Sequence, residues 1–274
     1  MDLSRPLAGR VALVTGAGRG IGRAHALLLA ERGAAVVVND VDAEVAQAAV
    51  DEIVTTDGIA RRDDSDVSSF DGGARAVEVA LAAFGRLDIV VNNAGLASSA
   101  PIEGVTASQL DRVFGVNFIG PIAVVQAAWP SLVASGQGRI VNTVSEAAFD
   151  ARMGGAQVGY AAAKAAVWSL TITLADAGRE HGITVNAVSP AAFTRMNEAM
   201  FREQGRPEGL DLDPVHVARV VAWLVSDEAA DVTGRVLHVA GGQHREYAIR
   251  RAADTELVRR VEAALAAARP TARS

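Results

Sequence analysis

The sequence contains no cysteine, which excludes disulfides, thiolate metal sites and a cysteine nucleophile. Aromatic residues amount to 4%, too few for the base-stacking platforms that bind single-stranded nucleic acid. Basic residues are outnumbered, 26 Lys and Arg against 32 Asp and Glu, leaving a formal net charge of −6. No broad basic footprint for nucleic acid or an anionic membrane is therefore expected. The five histidines, His25, His181, His216, His238 and His244, show no ligand spacing, and no metal is expected. The opening Met-Asp-Leu-Ser-Arg-Pro lacks a basic segment followed by an apolar stretch, so the expectation is a chain without a leader that works in the cytoplasm.

What is present favours a packed globule. The 274 residues are 50% hydrophobic and 21% charged, enough chain and enough apolar surface for one large domain. Residues 113–138 carry no charge and could span a bilayer by length. Asn117, Pro121, Gln126, Pro130 and Ser131 inside that stretch suit a buried helix better.

Apolar runs rich in β-branched residues at 11–15, 35–39, 89–92, 140–144, 184–188 and 236–239 read as strands. Helical periodicity fills the gaps at 21–32, 43–56, 70–84, 108–132, 160–181 and 215–224. Alternation of this kind predicts an α/β domain of the doubly wound class, a parallel sheet between two helical layers, over residues 1–243. Residues 244–274 read as a C-terminal helical extension, with Thr255 as cap, Leu257, Val258, Val261 and Leu265 on one stripe, and Pro270 ending it.

The first strand runs into Thr15-Gly-Ala-Gly-Arg-Gly-Ile-Gly22, followed at once by a helix. Glycines there allow a tight turn and let backbone N–H groups approach a pyrophosphate, which makes Gly16, Gly18, Arg19, Gly20, Ile21 and Gly22 cofactor-binding candidates. A second strand ends at Asp40, 25 positions after Thr15. A carboxylate there accepts from both ribose hydroxyls and repels a 2′-phosphate, so NAD is favoured over NADP. Arg19 is the one residue of the turn that could instead pair with a 2′-phosphate.

With these residues and the ordered motifs Asp66-Val67, Asn92-Asn93-Ala94-Gly95, Asn117, Ser145 and Tyr160-Ala-Ala-Ala-Lys164, the sequence resembles the short-chain dehydrogenase/reductase family. The match covers roughly residues 8–243. The resemblance implies a Rossmann-like domain with seven parallel strands, a nicotinamide dinucleotide and a homodimer or homotetramer. It implies that Asp66 and Val67 lie against the adenine, that Asn93, Ala94 and Gly95 line the cofactor, and that Asn117 holds a water connecting Lys164 to solvent. Asn39-Asp40, residues 190–196 and the continuation after Gly242 most resemble (3R)-hydroxyacyl-CoA dehydrogenases within that family, although the segment after Asp40 is shorter here.

The side chains themselves suggest the chemistry. Tyr160 and Lys164 stand four apart on a predicted helix and share a face. A nearby ammonium is expected to lower the phenol's pKa, making Tyr160 the group that takes or gives the substrate proton. Ser145 is placed to hydrogen-bond the substrate oxygen. A lysine-activated serine acyl transferase is the alternative use of these residue types, but no His or acid is placed to orient such a base.

Departures from the family pattern suggest where substrate binds. The interval from Ser145 to Tyr160 is fifteen positions, longer than usual, and carries Glu146, Asp150 and Arg152, of which Glu146 is a candidate substrate contact. Pro190 is followed by Ala191 rather than glycine; Pro190 and Thr194 remain cofactor candidates by analogy. Met196, Met200 and Phe201 lie on a lid-like segment and are candidate substrate contacts. The expected activity is NAD-dependent interconversion of a secondary alcohol and a ketone, with a hydroxyacyl-CoA dehydrogenase or a non-catalytic NAD-binding regulator as alternatives.

Overall fold

Short runs of Val, Ile and Leu that are apolar on both faces suit a sheet covered on both sides. The computed structural model describes residues 5–97, 100–150, 157–194, 198, 202, 209–249, 256 and 258–261. Its strands are β1 (Val11–Thr15), β2 (Ala35–Asn39), β3 (Ile59–Asp63), β4 (Ile89–Asn92), β5 (Arg139–Thr143), β6 (Thr184–Ala191), β7 (Val236–Ala240) and β8 (Gln243–Tyr247). They form one sheet in the order β3-β2-β1-β4-β5-β6-β7-β8. The first seven run parallel and β8 runs antiparallel to β7.

Among the described residues seven full α-helices accompany them: α1 (Gly20–Glu31), α2 (Ala43–Thr55), α3 (Phe70–Phe84), α4 (Ala107–Phe114), α5 (Gly120–Ser135), α6 (Val158–Gly178) and α7 (Val215–Leu224). Alternate strand residues serve opposite faces. Ala12, Val14, Val36, Val38 and Val91 pack with Leu29 of α1, Ile53 of α2 and Val221 of α7. Leu13, Val37, Val90 and Ile140 pack with Val77 of α3 and Leu132 of α5. The doubly wound α/β expectation is thus met.

Three details differ from the expectation. The sheet has eight strands rather than seven, because residues 243–247 fold back along β7 instead of opening the helical extension. The Gly241-Gly242 connection permits this, with Gly241 at a left-handed φ of 58°. Further on, Glu256 and residues 258–261 are helical; Thr255, Leu257, Leu265 and Pro270 lie outside the described residues. The predicted helix 108–132 is divided by a π-helical turn at Gly115–Ile119 that separates α4 from α5. Edge strand β3, hinted at only before Asp66, carries Arg61 and Arg62 and is mostly exposed, so periodicity does not reveal it.

The stretches Ala107–Ser135 and Val158–His181 have the length and hydropathy of membrane spans. Both are used against the sheet. On α3, a Cβ at Gly73 would lie 2.8 Å from the Ala123 backbone of α5, so the two helices touch through the glycine. Val167, Trp168 and Thr171 of α6 are buried.

Several core residues are polar, His25 among them. His25 of α1 is fully buried and neither ring nitrogen has a hydrogen-bond partner among the described residues. Burial pushes its pKa from 6.5 down to about 3, so the ring is neutral in the folded protein. Because the folded value lies below the unfolded one, this contribution to stability is full above pH 6.5 and is lost as pH falls toward 3. The loss is about 1.4 kcal/mol per pH unit across that interval. Urea unfolding of wild type and His25→Leu at pH 7 and pH 5 tests it: the variant should gain on wild type by about 2 kcal/mol on acidification. A constant difference would show that His25 is not held neutral.

Candidate active site

The chain leaves β1 toward β2 and β3 on one side, whereas β4 leads to β5, β6 and β7 on the other. The crevice at the carboxyl ends of β1 and β4 is where doubly wound sheets bind ligands. The glycine turn follows β1 and Asn93-Ala94-Gly95 follows β4. A side-chain joint fixes the two loops to each other. The Thr15 hydroxyl accepts from the backbone N–H of Asn93 at 3.1 Å and of Ala94 at 3.0 Å. The Asn93 carboxamide donates to the carbonyls of Thr15 at 3.0 Å and Gly16 at 3.1 Å.

This close approach explains the glycines. A Cβ at Gly22 would lie 2.1 Å from the Gly16 carbonyl oxygen, and one at Gly18 would lie 2.7 Å from Val45 Cγ1 and 2.9 Å from Asp40 Oδ2. Helix α1 begins at Gly20 with no side-chain cap and no acid in its first turn. Its free N–H groups and positive dipole end therefore face the turn. Ile21 anchors the helix start by packing on the core. Asp40 accepts from the N–H of Gly18 at 3.1 Å through Oδ2 and of Asp42 at 3.1 Å through Oδ1. Arg19, considered as a phosphate partner, pairs with Asp42. Thr194 lies across the turn, its Cγ2 3.7 Å from where a Cβ on Gly20 would sit. Pro190 is in β6, opposite Val239 of β7.

The loop after β3 closes one side. Asn39 donates to Asp63 at 2.6 Å and to the Ser65 carbonyl at 2.9 Å. Asp66 is exposed and accepts from the N–H of Ser68, at 3.0 Å, whereas Val67 is buried. The glycine turn, the uncapped helix end, Asp40 and this loop fit a dinucleotide carrying a pyrophosphate and an adenosine ribose.

The remaining candidates converge beside β4 and β5. Buried Lys164 donates to the Thr143 carbonyl at 2.7 Å. Asn117, fully buried in the π turn, donates to the carbonyls of Leu96 at 2.8 Å and Val113 at 2.9 Å and accepts from Leu96 N–H at 3.3 Å. Gly95 brings these groups together: a Cβ there would be 3.3 Å from Asn117 Oδ1 and 3.8 Å from Lys164 Nζ. Ser145 caps a short 3₁₀ turn, Glu146–Ala148, by accepting from Ala147 N–H at 3.2 Å. A hydrogen bond joins Ser145 to Tyr160.

The electrostatics correct one expectation. Burial drives the Tyr160 phenol above its usual value, opposed only by the Ser145 hydrogen bond. Lys164 does not reverse this. Its Nζ is 5.8 Å from the Tyr160 ring centroid and is directed at the Thr143 carbonyl, and burial lowers its own pKa to about 8. Both groups of the protein chain by itself are thus pushed toward their neutral forms.

Glu146 turns toward β8, where the Tyr247 hydroxyl donates to its Oε1. Nδ1 of His238, on β7, is 3.8 Å from the same oxygen. Sequence reasoning missed Tyr247 and His238 because they lie about a hundred positions from Glu146 and only the β7-β8 hairpin brings them there. Arg152, Met196, Met200 and Phe201 lie outside the described residues.

Residues 10–205 match the family described as short chain dehydrogenase. A crystal structure of a short chain dehydrogenase from Mycobacterium avium is similar with a TM-score of 0.82 and 37% identity, covering 97% of this chain and 98% of that one. Cyclohexanol dehydrogenase from Acinetobacter sp. (strain SE19) is 38% identical, with 87% of this chain and 96% of that protein covered. Peroxisomal multifunctional enzyme type 2 of Mus musculus is 37% identical over 85% of this chain, which spans 32% of that enzyme's length. A hydroxy(phenyl)methylsuccinyl-CoA dehydrogenase subunit from Thauera aromatica is 37% identical, covering 85% of this chain and 96% of that protein.

Proposed function

The chain belongs to the short-chain dehydrogenase family and is an oxidoreductase acting on CH–OH groups, and from that premise we propose that it interconverts a secondary alcohol and a ketone with NAD, Tyr160 exchanging the proton. The observation that carries the reading is the convergence of Ser145, Tyr160, Lys164 and Asn117 beside the loop after β4. The nicotinamide, when bound, supplies or accepts the hydride. Glycines 16, 18, 20 and 22, Asp40, the loop at 66–67, residues 93–95, Pro190 and Thr194 would hold that cofactor.

The protein's own residues handle the proton. Ser145 holds the substrate oxygen beside the Tyr160 hydroxyl. In ketone reduction Tyr160 donates its proton to that oxygen, and its raised pKa keeps the proton available at neutral pH. In alcohol oxidation the phenolate is needed, so the rate rises with pH. Lys164, at about 8, exchanges protons near neutrality, and Asn117 holds the backbone next to it.

Asp40 supports NAD over NADP, since its carboxylate is fixed beside Gly18 and the nearby Arg19 is engaged by Asp42. For the substrate, the relatives' names favour two chemistries, a CoA thioester and a free alcohol. A cytoplasmic location fits the use of both long apolar helices as sheet cover. The exposed side of α6, with Ala162, Ala165, Ser169, Ile172 and Thr173, is small and weakly polar, which supports packing against a second copy. Sedimentation at micromolar concentration should give a homodimer or homotetramer; a monomer overturns that assignment.

The deciding experiment measures NADH and NADPH formation or loss with secondary alcohols, hydroxyacyl-CoAs and the matching ketones, using wild type and Tyr160→Phe. Turnover in wild type that drops about 10²–10⁴-fold in the variant, with cofactor binding retained, is expected. Substantial turnover without the phenol hydroxyl sinks the proton-transfer role. Asp40→Ala should weaken NAD relative to NADP; an unchanged ratio places ribose recognition elsewhere.

A further inference from the structure

Beyond the four catalytic candidates, one cluster links the end of the sheet to the turn that carries Ser145. The Tyr247 hydroxyl of β8 donates to Glu146 Oε1, and Glu146 directly follows Ser145. The phenol ring is held as firmly as its hydroxyl. Its centroid is 4.6 Å from that of Phe149, which meets Trp168 of α6 edge-on at 5.2 Å, and 5.6 Å from that of His238. Burial and the Glu146 carboxylate push the Tyr247 phenol up to about 12, so the donor keeps its proton. Within the turn, Ala147 N–H donates to Ser145 Oγ at 3.2 Å, and Ser145 is bonded to Tyr160.

We propose that Tyr247 and Glu146 are positioning residues for the reaction: the β8 hydroxyl fixes the 145–148 turn and thereby aims the Ser145 hydroxyl at Tyr160 and the substrate oxygen. The argument rests on the dehydrogenase reading above. It gives the eighth strand a task in the reaction, since β8 is an exposed edge that buries little and its last residue is the one that reaches the site. Aiming is demanding, because a misplacement of about 1 Å at a reacting group can cost about a hundredfold in rate.

Tyr247→Phe removes only the hydroxyl and keeps the ring packing. It should lower kcat about ten- to a hundredfold while KM for the dinucleotide stays within about twofold. Glu146→Ala should match it, and Glu146→Gln, whose carbonyl oxygen still accepts from Tyr247, should lose less than Glu146→Ala. The double variant Tyr247→Phe/Glu146→Ala should be no slower than either single one, as for two members of one contact. Amide hydrogen exchange of a peptide spanning residues 145–150 should accelerate in Tyr247→Phe, a readout that needs no turnover. An active wild type with kcat unchanged in Tyr247→Phe, additive losses in the double variant, or unchanged exchange overturns the proposal. A wild type inactive on every alcohol and ketone overturns the dehydrogenase reading instead, and the exchange result then still decides whether the contact fixes the turn.

Discussion

Where β1 and β4 stop pairing and their chains turn apart, several backbone amides lose their ladder partners in a place that must stay open for a ligand. The Thr15 hydroxyl and the Asn93 carboxamide take up that loss between them, two N–H groups and two carbonyls in all. An unpaired buried group costs on the order of 1–3 kcal/mol, so this joint stabilises an otherwise weak seam. It also sets the distance between the glycine turn and the loop after β4. Gly22 is forced by the same closeness, because the Asn93 amide nitrogen would lie 2.4 Å from any Cβ there. Removing the clasp would leave both halves of the sheet intact and the crevice undefined.

Deeper along the same seam the requirement changes from holding backbone to placing ionisable groups where water is scarce. Asn92 donates to Asn142 at 2.9 Å, and Asn142 donates to Thr171 of α6 at 3.0 Å, tying the helix that bears Tyr160 and Lys164 to β4 and β5. The helix position then dictates the electrostatics. Burial lowers Lys164 and raises Tyr160, and both shifts favour the uncharged pair. On the proposed reading this leaves a protonated phenol as donor for ketone reduction without a partner charge, whereas alcohol oxidation would require the opposite, charged state of Tyr160. An ammonium acidifies a tyrosine only where it outweighs desolvation; here burial acts on both groups, and Lys164 Nζ stands 5.8 Å from the Tyr160 ring centroid.

Much of this is legible in the sequence. The interior strands are legible because parallel strands are apolar on both faces, and the turn at 15–22 because only glycine permits its close approaches. Tyr160 and Lys164 are legible because four positions on a helix are one turn. The edges were not. β3 presents Arg61 and Arg62, and β8 reads Gln-His-Arg-Glu-Tyr, since an edge strand needs no buried face and therefore carries no hydrophobic period. The π turn at Gly115–Ile119 was equally silent, because an extra residue in a helix leaves composition unchanged while shifting every later side chain by a hundred degrees. That shift is what sets Asn117 against the Leu96 backbone.

Strand β8 illustrates how an element with little to bury can still be specified. Its residues before Tyr247 are exposed and its ion pair with a described residue, Glu246 with Arg235, is a surface contact of the kind worth about 0–1 kcal/mol. Hairpin pairing to β7 through two glycines fixes its register, and register alone decides that Tyr247 lies opposite Val236 on the face covered by α6. A slip by one residue would turn Tyr247 away from that face and present Glu246 there. Glu146 and the aromatic rings of Phe149 and Trp168 select against that slip, because only the observed register satisfies the carboxylate and the rings together. The same contacts therefore define the strand and the turn at Ser145 together.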